Sequence, residues 1–275
     1  MTVTAPAKIN LGLHVLRVRP DGYRDIDTVF VRIPWCDEVS YVPAEGRSMT
    51  CNDPALPTGD GNLCMKAALL LAERTGRTDG WRLHLEKRVP YGAGLGSGSS
   101  DAAAVLRMLG QAWDVAEPTL TDVAAAVGSD VPFFLGPPVA RGTGRGEELQ
   151  PLEWQCPYPL VVAVPPVHVP TGEAYQMVQP RDQGRAELVP LIKSNDHKRW
   201  RTRLVNDFQE PVAGRWSKIR AALDMIREDG ALYAAMSGSG SSVFGLCDSE
   251  EHADALADRL RQSGCRVWAG FAEGA

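Results

Sequence analysis

Four glycines spaced by two, at 92, 94, 96 and 98, lie in the run Pro90-Tyr91-Gly92-Ala93-Gly94-Leu95-Gly96-Ser97-Gly98-Ser99-Ser100, which leads into DAAAVLRMLG. Glycine lets the backbone turn with positive φ and lets a ligand come close to the N–H groups. Ser99 or Ser100 is expected to cap the helix that follows. A helix start adds about half a positive charge and outward-pointing N–H donors. Together these make a phosphate cradle that needs no basic side chain. Other nucleotide and catalytic patterns fail. In GxGxxG the final position falls on Ser97 or Ser99. No Lys follows the glycines as GxxxxGK[ST] requires, and no GxSxG is present. Asn206-Asp207-Phe208 continues with Gln209, so it is not a protein-kinase DFG.

Other residues have settings that suit chemistry. The segment Pro6–Val18 alternates, with Lys8, Asn10, Gly12 and His14 on one face and Ile9, Leu11, Leu13 and Val15 on the other. Asp130 stands between Gly128-Ser129 and the apolar Val131-Pro132-Phe133-Phe134. A carboxylate against such a wall is costly unless it is paired or used. Taken singly, Lys8 reads as a solvated strand lysine, Asp130 as a loop cap, His14 as a structural histidine and Asn62 as a helix cap. A second glycine run, MSGSGSSVFG at 236–245, is flanked by strands and reads by itself as a tight turn. A third, GTGRGEE, begins at Gly142.

The elements that must position these residues mix strands and helices without a regular βαβ repeat, which implies an α+β fold. Strands are expected at Pro6–Val18, Thr28–Ile33, Glu38–Val42 and Trp81–Glu86. Helices are expected from Asn62 to Gly76, after the glycine loop, and at Leu120–Val127. Residues 136–159 are rich in Pro and Gly, so a boundary is placed near 155, giving domains 1–155 and 156–275. Beyond it come a buried-type strand at Leu160–Val164, a polar, weakly ordered stretch at 179–200, a helix at 211–228, a helix near 250–263 and a last strand at Arg266–Phe271.

Composition sets the outer limits. The chain has 275 residues, 44% hydrophobic and 23% charged, an ordinary globular balance. Lys plus Arg is 29 and Asp plus Glu is 34, so the net charge is −5. That argues against a nucleic-acid binder or a basic membrane-surface protein, but allows a small anionic ligand in a local pocket. The six cysteines, at 36, 51, 64, 156, 247 and 265, form no CxxC. No stretch approaches 18 apolar residues. Reduced thiols, a cytoplasmic location and no membrane partner are the expectation.

The run PYGAGLGSGSSDAAA resembles the phosphate-binding loop of the GHMP kinase superfamily, with Ser97 where a glycine is common. PAKINLGLHVLRVRPDGYRDIDTVF at 6–30, GSDVPFFLG at 128–136 and MSGSGSSVFG at 236–245 are similar, in order, to blocks of the 4-diphosphocytidyl-2-C-methyl-D-erythritol kinase family. The resemblance implies a two-domain GHMP kinase fold, with a ribosomal-protein-S5-like N-terminal domain and a ferredoxin-like C-terminal one. It implies transfer of the ATP γ-phosphoryl group to the 2-hydroxyl of 4-diphosphocytidyl-2-C-methyl-D-erythritol, in the methylerythritol phosphate route to isoprenoid precursors. ATP and Mg²⁺ are then the expected cofactors, and a monomer or weak homodimer the expected state. Asp130 would take the hydroxyl proton, with Lys8 as its cationic partner. Pro90–Ser100 and Asn62 would bind ATP. Asn10, Thr171, Gly238 and Ser239 would place the substrate, and Tyr23 and Tyr175 would stack on cytosine. Arg24 stands where the family usually has histidine.

Overall fold

The computed structural model describes residues 1–274. In chain order the strands and helices are β1 (Thr2–Val18), β2 (Arg24–Ala44), β3 (Arg47–Cys51), α1 (Leu63–Thr75), β4 (Gly80–Glu86), α2 (Ser97–Trp113), α3 (Glu117–Val127), β5 (Val139–Thr143), β6 (Glu148–Pro151), β7 (Leu160–Val164), α4 (Thr171–Met177), α5 (Leu188–Lys193), α6 (His197–Arg203), α7 (Gln209–Arg215), α8 (Ser217–Glu228), β8 (Tyr233–Met236), β9 (Val243–Leu246), α9 (Glu250–Gln262) and β10 (Arg266–Gly270). A 3₁₀ turn covers Pro132–Leu135. The α+β class expected from the sequence is the one observed. The chain forms two compact units that interleave along the sequence. One holds Met1–Ala7, Trp35–Val89 and Gly96–Pro137; the other holds Lys8–Pro34, Pro90–Leu95 and the residues from Pro138 on.

In the first unit, Glu38–Ala44 of β2 pairs antiparallel with β4, and β3 lies parallel to β4 with Arg47 opposite Trp81. Parallel neighbours cannot be joined by a tight turn and need a crossover. Helix α1 supplies it. Its start is set by Asn62, whose side chain accepts a hydrogen bond from the Cys64 amide, and its end by Gly76 in the left-handed region. Helices α1, α2 and α3 pack on one another. Trp81, Leu71, Leu83, Leu106 and Leu109 are among the side chains this buries. Helix α3 begins at Glu117, three residues before the expected Leu120, because Pro118 fits the first turn.

In the second unit, Thr28–Val31 of β2 pairs antiparallel with Val139–Gly142, and β5 turns back through the GTGRGEE segment to pair with β6. A four-stranded antiparallel sheet runs in the order β10-β7-β9-β8. Helix α8 presents Ile219, Ala222, Leu223 and Ile226, an i, i+3, i+4, i+7 stripe, to a core shared with Leu256 and Leu260 of α9 and Val161, Ala163 and Val243 of the sheet.

Several local expectations are corrected. The strands expected at 28–33 and 38–42 are one strand. Pro34 does not interrupt it, because Pro34 is exposed and falls between the stretch paired with β5 and the stretch paired with β4. The 211–228 helix is two helices, broken where Trp216 is extended at φ −108 and ψ 96. The stretch at 179–200 is not featureless. It carries α5 and the start of α6, with Leu188, Leu191, Ile192 and Trp200 buried and the Trp200 indole N–H donating to the Leu191 carbonyl at 2.7 Å.

Candidate active site

The polar face of β1 is buried, not solvated. Lys8 is 4% exposed and Asn10 1%. Each therefore needs partners, and in the second unit the partners form one connected lattice. The Lys8 ammonium donates to Asn10 Oδ1 at 2.6 Å and lies 5.2 Å from the centre of the Phe30 ring. Asn10 Nδ2 donates to the Thr28 hydroxyl at 2.9 Å, which donates to the Gly12 carbonyl at 2.6 Å. The Asn10 amide donates to Ser237 Oγ at 3.1 Å, and Ser237 Oγ donates to the Gly94 carbonyl at 3.0 Å.

That last pair brings two distant glycine runs together. The Ser242 amide donates to the Ala93 carbonyl, and the Lys8 amide to the Leu95 carbonyl, both at 2.9 Å. Gly94 has φ +81, and a Cβ added there would lie 2.2 Å from the Ser237 carbonyl oxygen, so no side chain fits. Asn206 supports the second run from behind. It is 3% exposed, its Nδ2 donates to the Met236 and Gly238 carbonyls, and its Oδ1 accepts from the Phe208 amide. Ser237, Thr28 and Asn206 were not foreseen. Ser237 lies within the second glycine run and Thr28 within an expected strand, and the Asn-Asp pair just before a helix is the sequence signal for Asn206.

The rest of the glycine loop lies in the first unit. Helix α2 begins at Ser97 with Gly96 as its cap in the left-handed region at φ 66, and no side chain caps it. Ser99 and Ser100 are therefore inside the first turn, not at the cap expected of them. Gly92, Gly94 and Gly96 have positive φ, whereas positions 97 and 98 do not. Serine at 97 is thus conformationally free of cost, which explains the departure from glycine there. Asp130 is half-buried and precedes the 3₁₀ turn, in which Phe133 and Phe134 are buried. Asn62 also belongs to this unit, as the cap of α1. The first unit thus holds Asp130, Asn62 and the loop exit, and the second holds Lys8, Asn10 and the loop floor.

Residues expected to hold the substrate fall in the second unit. Thr171 opens α4, and its hydroxyl lies 3.4 Å from that of Ser239. Tyr175, on the same helix, packs edge-to-face on Phe208 with ring centres 4.8 Å apart. Tyr23 is 58% exposed, and the Arg145 guanidinium from the GTGRGEE turn lies 5.0 Å from its ring centre. Glu147 holds Arg145 there at 3.0 Å. Arg24 donates to the Gly22 carbonyl at 3.0 Å. His14 is 2% exposed, and burial first, then Arg185, hold its imidazole below its ordinary pKa, so it is neutral. It reads as structural.

A charged cluster in the first unit was also not foreseen. The Lys87 ammonium donates to Asp37 Oδ2 at 2.6 Å and Asp101 Oδ2 at 2.7 Å, with all three side chains at most 4% exposed. Burial, more than any neighbour, pushes the Asp101 carboxyl up to about 7, against the opposing pull of Lys87. Burial pulls the other way on Lys87, yet its two carboxylate partners hold its pKa above the ordinary value.

Comparison with known proteins agrees with this geometry. The GHMP kinases N terminal domain matches residues 62–136 and the GHMP kinases C terminal domain residues 188–265. The 4-diphosphocytidyl-2-C-methyl-D-erythritol kinase of Salinibacter ruber is 48% identical over 271 residues, covering 96% of this chain and 95% of its own. The protein of the same name from Chlorobium limicola is 39% identical, covering 97% and 95%. A crystal structure of 4-(cytidine 5'-diphospho)-2C-methyl-D-erythritol kinase superposes with a TM-score of 0.85 at 38% identity, covering all of both chains. Among the described residues no helix is long and apolar enough to cross a membrane. Sequence, fold and the arrangement of the glycine runs converge: the chain belongs to the 4-diphosphocytidyl-2-C-methyl-D-erythritol kinase family of GHMP kinases.

Proposed function

We propose that the chain transfers the γ-phosphoryl group of ATP to the 2-hydroxyl of 4-diphosphocytidyl-2-C-methyl-D-erythritol, in the methylerythritol phosphate route to isoprenoid precursors. The observation that carries the reading is the lattice that fixes Lys8 and Asn10 against both glycine runs. Phosphoryl transfer needs positioning and charge neutralisation more than covalent help from the protein. The loop Pro90–Ser100 meets the ATP phosphates through backbone N–H groups between Tyr91 and Ser99, and Asn62 lies on the adenine side. Asp130 takes the proton from the acceptor hydroxyl as its oxygen attacks the γ-phosphorus and ADP leaves. Lys8 favours the ionised carboxylate and polarises that hydroxyl. Asn10, Thr171, Gly238 and Ser239 orient the substrate. Tyr23 and Tyr175 stack on its base, with Arg24 donating to cytosine acceptors. In functional terms, 1–155 carries the ATP-binding residues, and 156–275 is the substrate-binding domain, to which Asn10, Tyr23 and Arg24 of the N-terminal half add contacts.

Mg²⁺ neutralises polyphosphate charge when bound with ATP. Among the described residues no three His, Cys, Asp or Glu side chains cluster to cage a metal ion. The ion would be held mainly by phosphate oxygens of the nucleotide and by water.

The test is ADP release measured over a panel of alcohols. The cytidine diphosphate compound should be consumed and mevalonate should not; the reverse result overturns the reading. Asp130→Asn should lower kcat about 10²–10⁴-fold with little change in KM for ATP. A rate near that of the wild type would remove Asp130 from the mechanism.

A further inference from the structure

We infer that Lys87, Asp37 and Asp101 form a clasp that positions the nucleotide loop from its two ends. The inference rests on the reading of residues 90–100 as that loop. Asp37, on β2, grips the loop's entry. Its Oδ1 accepts from the Arg88 amide at 2.5 Å and the Val89 amide at 2.7 Å, and its Oδ2 from the Lys87 ammonium. The same ammonium reaches Asp101 on α2, just past the loop's exit. One side chain thus ties both flanks of the loop within the first unit, while residues 90–96 between them carry no helix or strand.

Two features separate this from ordinary packing. The cluster sets two carboxylates against one ammonium with almost no exposure to water. A buried ionic group of this kind is commonly no more stabilising than apolar side chains of the same volume, so stability alone does not explain it. What it provides is direction, because an ammonium fixed by two carboxylates holds its partners at hydrogen-bond length. A loop that binds phosphate by backbone N–H groups has no flexible side chain to correct a misplaced end, so its geometry depends on its flanks. The cluster is also not closed on itself. Asp101 Oδ1 and the neighbouring Ser100 hydroxyl, both buried, have no hydrogen-bond partner. Asp101 is therefore held by Lys87 at Oδ2, with Asp37 beside it.

The experiment compares wild type with Lys87→Met, Lys87→Arg and Asp101→Asn. Lys87→Met should raise KM for ATP about tenfold, leave KM for the cytidine substrate within about twofold, and be partly rescued by Lys87→Arg. In the ligand-free proteins, amide exchange over 88–98 should quicken about tenfold while α9 is unchanged. Should Lys87→Met fail to fold, Asp101→Asn, which keeps the side-chain shape, carries the test with a smaller shift in the same direction. The inference is overturned if loop exchange and KM for ATP stay at wild-type values, or if both KM values rise together. If the wild type phosphorylates a different alcohol, the reading of function fails, while loop exchange and KM for ATP still judge the clasp.

Discussion

Two regions hold the glycine loop, and they do so by opposite means. In the second unit its floor is fixed by a lattice of amides and hydroxyls, in which Asn10, Ser237 and Thr28 each satisfy a neighbour. In the first unit its flanks are fixed by the Lys87 ammonium set between the buried carboxyl groups of Asp37 and Asp101. A neutral hydrogen bond contributes modestly, and losing one member costs about 1–3 kcal/mol when the other stays buried. A buried charge that loses its partner is severely exposed to its own desolvation cost. The two regions should therefore fail differently.

The largest expected effect is on the charged side. Lys87→Met leaves two carboxylates buried without a cation and should destabilise the fold by about 3–5 kcal/mol in denaturant unfolding. A loss of only about 1–3 kcal/mol would put the clasp in the same class as the neutral lattice. Ser237→Ala comes next. It removes the acceptor of the Asn10 amide and the donor to the Gly94 carbonyl, and should cost about 1–3 kcal/mol. Equal losses for the two variants would erase the contrast.

A pH titration separates the regions more finely. The folded protein holds the Asp101 proton more tightly than the unfolded chain, whose carboxyl titrates near the ordinary 3.8. The stability this group contributes is fullest below about pH 4 and is lost as pH rises through about 7. Lys87, Asp37 and Cys64 are the titratable groups around it. Asp101→Asn should flatten that slope, and Ser237→Ala should leave it. A slope unchanged in Asp101→Asn would assign it to another group. The smallest effect is expected at the substrate aromatics. Tyr175→Ala should raise KM for the cytidine substrate about three- to tenfold, with KM for ATP unmoved. No rise would end the stacking role.

What was legible in the sequence was local. The strand–loop–helix around the glycines, the shared face of Lys8 and Asn10, and the Asn62 cap all follow from spacing and residue type. The link from Asn10 to Ser237 spans 227 positions, and that from Lys87 to Asp37 spans 50. Neither leaves a periodic trace. Burial of a polar strand face leaves no periodic trace either. A polar, alternating face reads as wet, yet Lys8 and Asn10 are buried because their partners come from elsewhere in the chain. The serines after Gly98 looked like caps because capping is a strong local preference. The backbone of Gly96 took that place, since it already stands in the left-handed region.

The lattice around Asn10 also has a polarity. Lysine can only donate, so the Asn10 oxygen must face Lys8. The Thr28 hydrogen is committed to the Gly12 carbonyl, so the Asn10 nitrogen must face Thr28. The amide therefore has a single allowed orientation, and each hydrogen along the chain points away from the ammonium. Aspartate has the same outline but no hydrogen to give. An Asn10→Asp exchange would turn two acceptors toward each other at Thr28, and either the hydroxyl would swing off Gly12 or the carboxyl would take up a proton. The strand, in other words, distinguishes an amide from a carboxylate of equal shape.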